Sequence, residues 1–285
     1  GVMDPIASRR PGWRPPHCPN PACVHHKDLR RPWPYKKAGF YRRQAAPGRI
    51  QRFTCRACGR HFSCQTFSPD YWLTRGELLP RLLTKTVGGM ANSQIARDLG
   101  CAPSTVDGQL SRLGRHCLLF HRQQLVDAAP PVEIAIDGFE SFEFSQYFPF
   151  HHHQAVELPS AFYLGFTDSP LRRKGRMRAG QRRRRAVLER SWGRPDPGAQ
   201  AQDLGQLLAE VLAGCGEVTV RSDDHPLYRS VLRGLGKGVR HEVTSGRQRR
   251  DKDNPLWEIN VLDAAIRHGS ANHRRETLAW SKRRQ

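Results

Sequence analysis

The 285-residue chain is expected to hold an α/β or α+β domain, preceded by a cysteine-rich ribbon and an all-helical segment. Three observations support this. Two close cysteine pairs lie near the N-terminus, at Cys18/Cys23 and Cys55/Cys58. A Leu- and Arg-rich stretch with helical spacing follows, up to about residue 127. From about 131 onward, short β-branched or aromatic runs alternate with helical stretches, the pattern of a mixed domain. The expected boundaries are 1–70, 71–127 and 131–285, with Ala-Ala-Pro-Pro at 128–131 as the linker. No internal repeat is evident.

Hydrophobic residues make up 38% of the chain and charged residues 26%, enough for a packed core and against global disorder. The formal net charge is +21, which argues for a polyanionic partner, because lysines and arginines that neutralise phosphates release condensed counterions. No apolar run approaches the roughly 20 residues that span a bilayer, so a membrane role is not expected. The first residues lack the charged start, apolar stretch and small-residue site of a secretion signal. The eight cysteines are therefore read as reduced thiols or metal ligands in a cytoplasmic protein.

Cys18-Pro-Asn-Pro-Ala-Cys23 and Cys55-Arg-Ala-Cys58-Gly59 have the spacing of a tetrahedral zinc site. Four protein ligands leave no open position, so such a site is structural. His25, His26 and Cys64 are alternative ligands. Gln51-Arg-Phe-Thr alternates like a strand leading into the second knuckle, and Arg42, Arg43, Arg49 and Arg52 would make the ribbon basic enough to touch DNA.

Asn92 to Val106 reads as two short helices with a sharp turn at Gly100. Ile95, Ala96 and Leu99 share one helical face, and Ser104 is a candidate cap for the second helix, with Val106, Leu110 and Leu113 as its apolar positions. In a helix-turn-helix that second helix enters the major groove, which would make Thr105, Gln109 and Arg112 DNA contacts. Asp107 and Ser111 lie on the same helix. A plain helical hairpin has the same spacing; the basic charge and the ribbon favour DNA.

Glu133-Ile-Ala-Ile-Asp137-Gly138 alternates like a strand that ends on a carboxylate, and Glu217-Val-Thr-Val-Arg-Ser-Asp223 repeats the pattern. Two late stretches, 260–267 and 273–283, read as helical, with a possible break at Gly269. Glu276 and Arg283 are seven apart, on one helical face. Three carboxylates suit divalent-metal phosphodiester chemistry, in which two cations about 3.5–4 Å apart activate the incoming oxygen and stabilise the leaving one. Magnesium prefers such hard oxygen ligands. Asp224 competes with Asp223, and Glu258 or Asp263 with Glu276. His151-His152-His153 is read as no metal site, because adjacent side chains diverge. His225 is either a substrate contact or a turn residue.

Asp-Gly-Phe-Glu-Ser-Phe at 137–142, Ser145-Gln-Tyr147, Ser222-Asp-Asp-His-Pro-Leu-Tyr228, Asn254-Pro-Leu, Asn260-Val-Leu-Asp and Asn272-His-Arg-Arg-Glu-Thr together resemble bacterial insertion-sequence DDE transposases with an N-terminal zinc ribbon and helix-turn-helix. The resemblance covers nearly the whole chain. It implies a ribonuclease-H-like catalytic domain and catalysis by Mg²⁺ or Mn²⁺ held on Asp137, Asp223 and Glu276. It also implies a basic residue seven positions after the glutamate, at Arg283, with Lys282 beside it as the alternative.

Between the first two acids, within an insertion at about 168–200, lies an arginine-dense stretch. Arg172, Arg173, Lys174, Arg176, Arg182, Arg183, Arg184 and Arg185 are expected to clamp phosphates, in part disordered until DNA arrives. The expected protein binds double-stranded DNA, both the element's terminal repeats and the target, as a homodimer or larger assembly in a bacterial cytoplasm, associated with the nucleoid. The rival readings are a transposase-derived DNA-binding regulator without catalysis and a nuclease of the same fold.

Overall fold

A computed structural model describes residues 13–28, 32–44, 48–236 and 238–274. Among the described residues the chain is a mixed α/β protein with two sheets and eight α-helices. Chain contacts divide it into two compact units, 1–84 with 95–124, and 85–94 with 125–285.

The first unit is built on a three-stranded antiparallel sheet of β1 (Tyr35–Arg42), β2 (Arg49–Cys55) and β3 (His61–Ser63), in that order. A short helix, α1 (Val24–Lys27), follows the first cysteine pair. Ile50 and Phe53 on β2 are buried. Phe53 and Phe62 stack at 5.4 Å, and Trp33 stacks on Phe62 at the same distance. This aromatic cluster, with Cys18, Cys23, Cys55 and Cys64, forms the core of the ribbon.

Three further helices follow: α2 (Leu79–Val87), α3 (Asn92–Leu99) and α4 (Pro103–Asp127). Gly100 turns the chain between α3 and α4 at φ +61°, a conformation that glycine adopts without a Cβ clash. Ile95, Ala96, Leu99 and Val106 are buried, as their spacing predicts. Two expectations are corrected here. The second helix is not short, since it runs for 25 residues. It also begins at Pro103, so Ser104 lies inside its first turn, consistent with the preference of proline for the first helical position. Residues 95–124 fall in the same compact unit as the ribbon, and residues 85–94 in the other.

The second unit centres on a five-stranded sheet: β4 (Glu133–Phe142), β5 (Pro149–Glu157), β6 (Tyr163–Pro170), β7 (Val218–Asp223) and β8 (Val239–Thr244), in the order β6-β5-β4-β7-β8. β4, β5 and β6 are antiparallel neighbours; β7 and β8 run parallel to β4. Alternation along β4 separates two cores. Ile134 and Ile136 face α6 (Ala199–Val211) and α7 (Pro226–Arg233), whose Leu204, Leu208, Tyr228 and Leu232 are buried with them. Ala135 faces the other way, joining Val156, Leu158, Leu256 and Ile259 of α8 (Trp257–Gly269). Burying a side chain as large as Ile259 is worth about 1.5–3 kcal/mol, enough to seat this face of α8 on the sheet. The arginine-dense stretch is in part irregular, over residues 171–178, and in part helical: α5 (Ala179–Trp192) is a helix with no buried residue.

Candidate functional site

The four predicted cysteines converge. Cys18, Cys23, Cys55 and Cys58 bring their sulfurs within 4.8 Å of one another. Sγ–Sγ separations are 3.5 Å for Cys18–Cys58 and 4.0 Å for Cys23–Cys55. Zinc–sulfur bonds of about 2.3 Å in a tetrahedron place sulfurs about 3.8 Å apart, so the set fits a zinc ion. Burial pushes the Cys55 thiol up, but the Trp33 indole N–H, donating to its sulfur at 3.3 Å, and the backbone N–H groups of Cys58 and Ala57 outweigh it. The net value is about 6, which favours the thiolate at Cys55, while burial pushes the Cys18 and Cys23 thiols up. The alternative ligands His25, His26 and Cys64 lie outside this set.

In the second unit, the register Glu133↔Thr219, Ile134↔Val220 and Ala135↔Arg221 joins β4 to β7. Continuing that offset brings Asp137 level with Asp223, and side chains level on neighbouring strands point to the same face. Asp137 and Asp223 have the parity of Ala135, so both face the side that α8 covers. β7 ends on Asp223 as expected, but β4 continues past Asp137 to Phe142, paired with β5 throughout.

On α8, Ile259, Asp263 and Arg267 recur every four residues, so the helix stripe anchored by Ile259 also presents Asp263 and Arg267. The amide of buried Gln154 on β5 donates to the Asp263 carboxylate. Arg267 lies over the Phe139 ring at 4.6 Å. Asp137, Asp223 and Asp263 line one open cleft of about 1010 Å³, together with Arg172, Arg173, Lys174, Arg250, Arg267 and His225. Asp224 is exposed and is not among the lining residues.

Burial raises the Asp137 carboxyl to about 6; the nearby Asp223 charge adds to the rise, while the Gly138 N–H (2.8 Å to Oδ1), Arg250 and Arg267 oppose it. Burial and the Asp137 charge raise Asp263 to about 7, against Arg267 and Arg250. Both shifts are dominated by burial, and a neighbouring acid adds to each. Among the described residues, only the four cysteines form a group of three or more side chains close enough together to hold a metal ion. Asp263 was the weaker candidate in sequence, because it has no basic residue seven positions on; its signal was its place on the buried stripe of α8. Glu276, Lys282 and Arg283 lie outside the described residues.

The histidine run divides as strand alternation requires. The His151 and His153 rings meet at a tilt, their centroids 4.1 Å apart, on one face, while His152 faces Asp168, Phe139 and His273 on the other. Burial drives His151 down to about 4 and His153 to about 3.

No protein-family model and no curated protein matches the chain. Two solved structures are similar to it at low level. One is a cryo-EM structure of a piggyBac transposase synaptic complex with hairpin DNA: 11% identity and a TM-score of 0.33, covering 62% of this chain and 44% of that one. The other is a cryo-EM structure of a simian T-cell lymphotropic virus intasome in complex with PP2A regulatory subunit B56 gamma: 13% identity and a TM-score of 0.19, covering 54% of this chain and 55% of that one. The chain thus spans less than half of the first and about half of the second. At such TM-scores the likeness defines neither fold nor activity.

The predicted DNA contacts differ in their placement. Gln109 is buried, and its amide donates to the Arg75 carbonyl at 3.0 Å, so it is turned away from any groove. Arg112 donates to the Tyr71 carbonyl, and Thr105 is half-buried. In the ribbon, Arg43 is engaged inward by Gln65 (2.7 Å) and Asp70 (3.8 Å). Arg172 makes a two-pronged contact with Glu189 (2.8 and 3.0 Å), while Arg173 lies over the Tyr147 ring at 4.9 Å and Arg185 donates to the Arg173 carbonyl at 2.9 Å. Arg182 donates to the Met177 carbonyl at 2.7 Å, and Arg176, Arg183 and Arg184 are exposed. No helix among the described residues is long and apolar enough to cross a membrane.

Proposed function

We propose that this chain is a DNA transposase of the insertion-sequence kind, which binds the ends of its element, hydrolyses DNA there and transfers the strand to a target. One observation carries this reading: Asp137 and Asp223, borne by strands β4 and β7 that pair in parallel, line the wall of one cleft rich in arginine. In this reading the five-stranded sheet is a ribonuclease-H-like catalytic core, the four-cysteine ribbon holds a structural zinc, and α3 and α4 form a DNA-binding helix-turn-helix. Glu276 completes the acidic set, with Arg283 or Lys282 steadying phosphate. The protein acts on double-stranded DNA as a dimer or larger assembly in a bacterial cytoplasm.

Bound Mg²⁺ or Mn²⁺ on these carboxylates would supply activation of the incoming oxygen and stabilisation of the leaving one. The chain's own residues do the rest. The Gly138 N–H fixes one Asp137 oxygen, leaving the other for the cleft. Gln154 orients Asp263. Arg250, Arg267 and the Arg172–Lys174 edge offer positive charge to the DNA backbone, which sets position and not sequence.

The deciding experiment is strand transfer in vitro, with Mg²⁺ or Mn²⁺, labelled element ends and a target plasmid. The wild type is expected to join ends to target, while Asp137→Ala, Asp223→Ala and Glu276→Ala bind the ends without joining. Cleavage without joining would make the protein a nuclease. Binding without cleavage by any variant, wild type included, would make it a DNA-binding regulator.

A further inference from the structure

The turn that follows the ribbon holds a large aromatic residue in solvent. Trp72 is 80% exposed, and its backbone sits at φ 61°, a left-handed conformation that bulky residues avoid. Strain of this kind persists only where the surroundings enforce it, and it clusters at ligand-binding positions. The surroundings here are well fixed. Asp70 is buried, accepts from Ser68, and is met by Gln65 at 3.5 Å and Arg43 at 3.8 Å. Gly76 packs so closely on Asp70 that an added Cβ would stand 2.5 Å from the Asp70 Cβ. Arg112 ties down the Tyr71 carbonyl. The turn is pinned on both sides of Trp72, and the indole is held outward.

Trp72 and Tyr71 line a second cavity of about 500 Å³, within the first unit, together with Tyr41, Arg52, Arg60 and His61. Arg52, Arg60 and His61 are exposed. The indole and the Tyr71 ring meet edge to face at 6.0 Å, which leaves indole surface free for a third ring. A flat aromatic surface beside exposed guanidinium groups is complementary to an unstacked base and the phosphates on either side of it. The size suits one nucleotide.

We propose that this cavity binds an unpaired nucleotide of DNA, with its base stacked on Trp72 and its flanking phosphates held by Arg52 and Arg60. This deepens the transposase reading, since cut or frayed element ends expose such nucleotides, but binding here needs no catalysis.

The test uses the full-length, zinc-loaded chain without magnesium and measures fluorescence anisotropy. Three labelled DNAs are compared: a short single strand, a duplex with a single-stranded overhang, and a blunt duplex. Trp72→Ala is expected to weaken overhang and single-strand binding roughly 5- to 150-fold, the range of one base–aromatic stack, and to leave blunt-duplex binding within about twofold. Trp72→Phe is expected to recover most of the loss. Trp72→Gly removes the side chain and also relieves the left-handed strain, so it should melt no lower than wild type while losing the same binding. The proposal is overturned if these variants bind overhangs as wild type does, or if blunt-duplex binding falls equally. It is also overturned if light scattering shows that Trp72→Ala instead abolishes self-association with DNA binding intact. A chain that fails strand transfer yet keeps Trp72-dependent overhang binding would refute the transposase reading and retain this one.

Discussion

The imidazole of His151 lies across Gly138, with its Cε1 2.7 Å from where a Cβ on that glycine would stand. The same Cβ would be 2.2 Å from the His152 carbonyl oxygen and 2.9 Å from the His153 Cα. Two of these three neighbours are backbone atoms of the paired strand β5, so rotamer changes cannot make room. The residue after Asp137 is a glycine because the neighbouring strand β5 lies too close there to admit a Cβ. Gly138→Ala should destabilise the second unit by about 1–3 kcal/mol, the usual scale of overpacking. Urea unfolding would read this; an unchanged midpoint would show that β5 yields.

His153 and His151, in contact on the opposite face from Asp137, give the fold a pH dependence. Burial holds them at about 3 and about 4, against about 6.5 for a histidine in an unfolded chain. Between these values the unfolded state binds the extra protons, so this stability is complete above pH ~6.5 and is lost as the pH falls toward the folded values. At pH 5 each histidine costs about 2 kcal/mol relative to neutral pH. Asp137 and Asp263 act in the opposite sense, because their raised values favour the folded state at low pH. The histidine contribution is therefore read as a difference: His153→Gln should recover about 2 kcal/mol of the loss between pH 7 and pH 5. Equal pH slopes for variant and wild type would mean that His153 titrates normally.

The carboxylates of the cleft predict a second linkage. A cation that binds only the folded chain stabilises it by about 2.7 kcal/mol at a concentration 100 times its Kd. Mg²⁺ or Mn²⁺ should raise the melting temperature of the wild type, and EDTA should reverse the rise. Asp137→Ala should abolish the shift, while Asp224→Ala, with its side chain outside the cleft, should keep it. A shift of equal size in Asp137→Ala would place the cation elsewhere.

The cysteine site predicts a third. Structural zinc contributes about 10–16 kcal/mol to small domains, so its removal should unfold the ribbon. One zinc per chain is expected by elemental analysis, with loss of ribbon structure on strong chelation and in Cys23→Ser or Cys55→Ser. Retention of amide-exchange protection along β2 after chelation would show that the aromatic cluster alone supports the sheet.

Much of this was legible in sequence, where local pattern sufficed. The cysteine spacing marked the four sulfurs that meet, and β-branched alternation marked the strands bearing Asp137 and Asp223. Features that depend on partners distant in sequence were not legible. The offset joining Glu133 to Thr219 is invisible until the sheet forms. Gln109 looked like a groove-reading residue because helical spacing does not show that the Arg75 carbonyl waits for its amide. The arginine run was expected to be partly disordered from its charge density alone; its contact between Arg172 and Glu189, 17 positions apart, does not show in the spacing. Asp263 acquired its place through Gln154, 109 positions away.

The hydroxyl of Ser141 on β4 anchors the segment that leads toward Glu276, and this yields the last prediction. Ser141 donates to the Asn272 carbonyl at 3.4 Å and shares a hydrogen bond with His273 Nδ1 at 2.9 Å. The His273 ring packs edge to face on Phe139 (5.4 Å) and Phe150 (6.3 Å), and burial holds it neutral, at about 4. A neutral ring with one nitrogen committed to Ser141 is a fixed peg on the strand that carries Asp137. A misplacement of about 1 Å can cost a reacting centre about 10²-fold in rate, whereas losing a hydrogen bond of this kind costs about 0.5–1.5 kcal/mol of stability. Ser141→Ala should therefore lower the single-turnover rate of strand transfer far more than it lowers stability, with end binding unchanged. Ser141→Thr, which keeps the hydroxyl, should restore the rate. If Ser141→Ala transfers strands at the wild-type rate, this peg does not position the third acid, and the buried stripe of α8 with Asp263 becomes the better place to seek it.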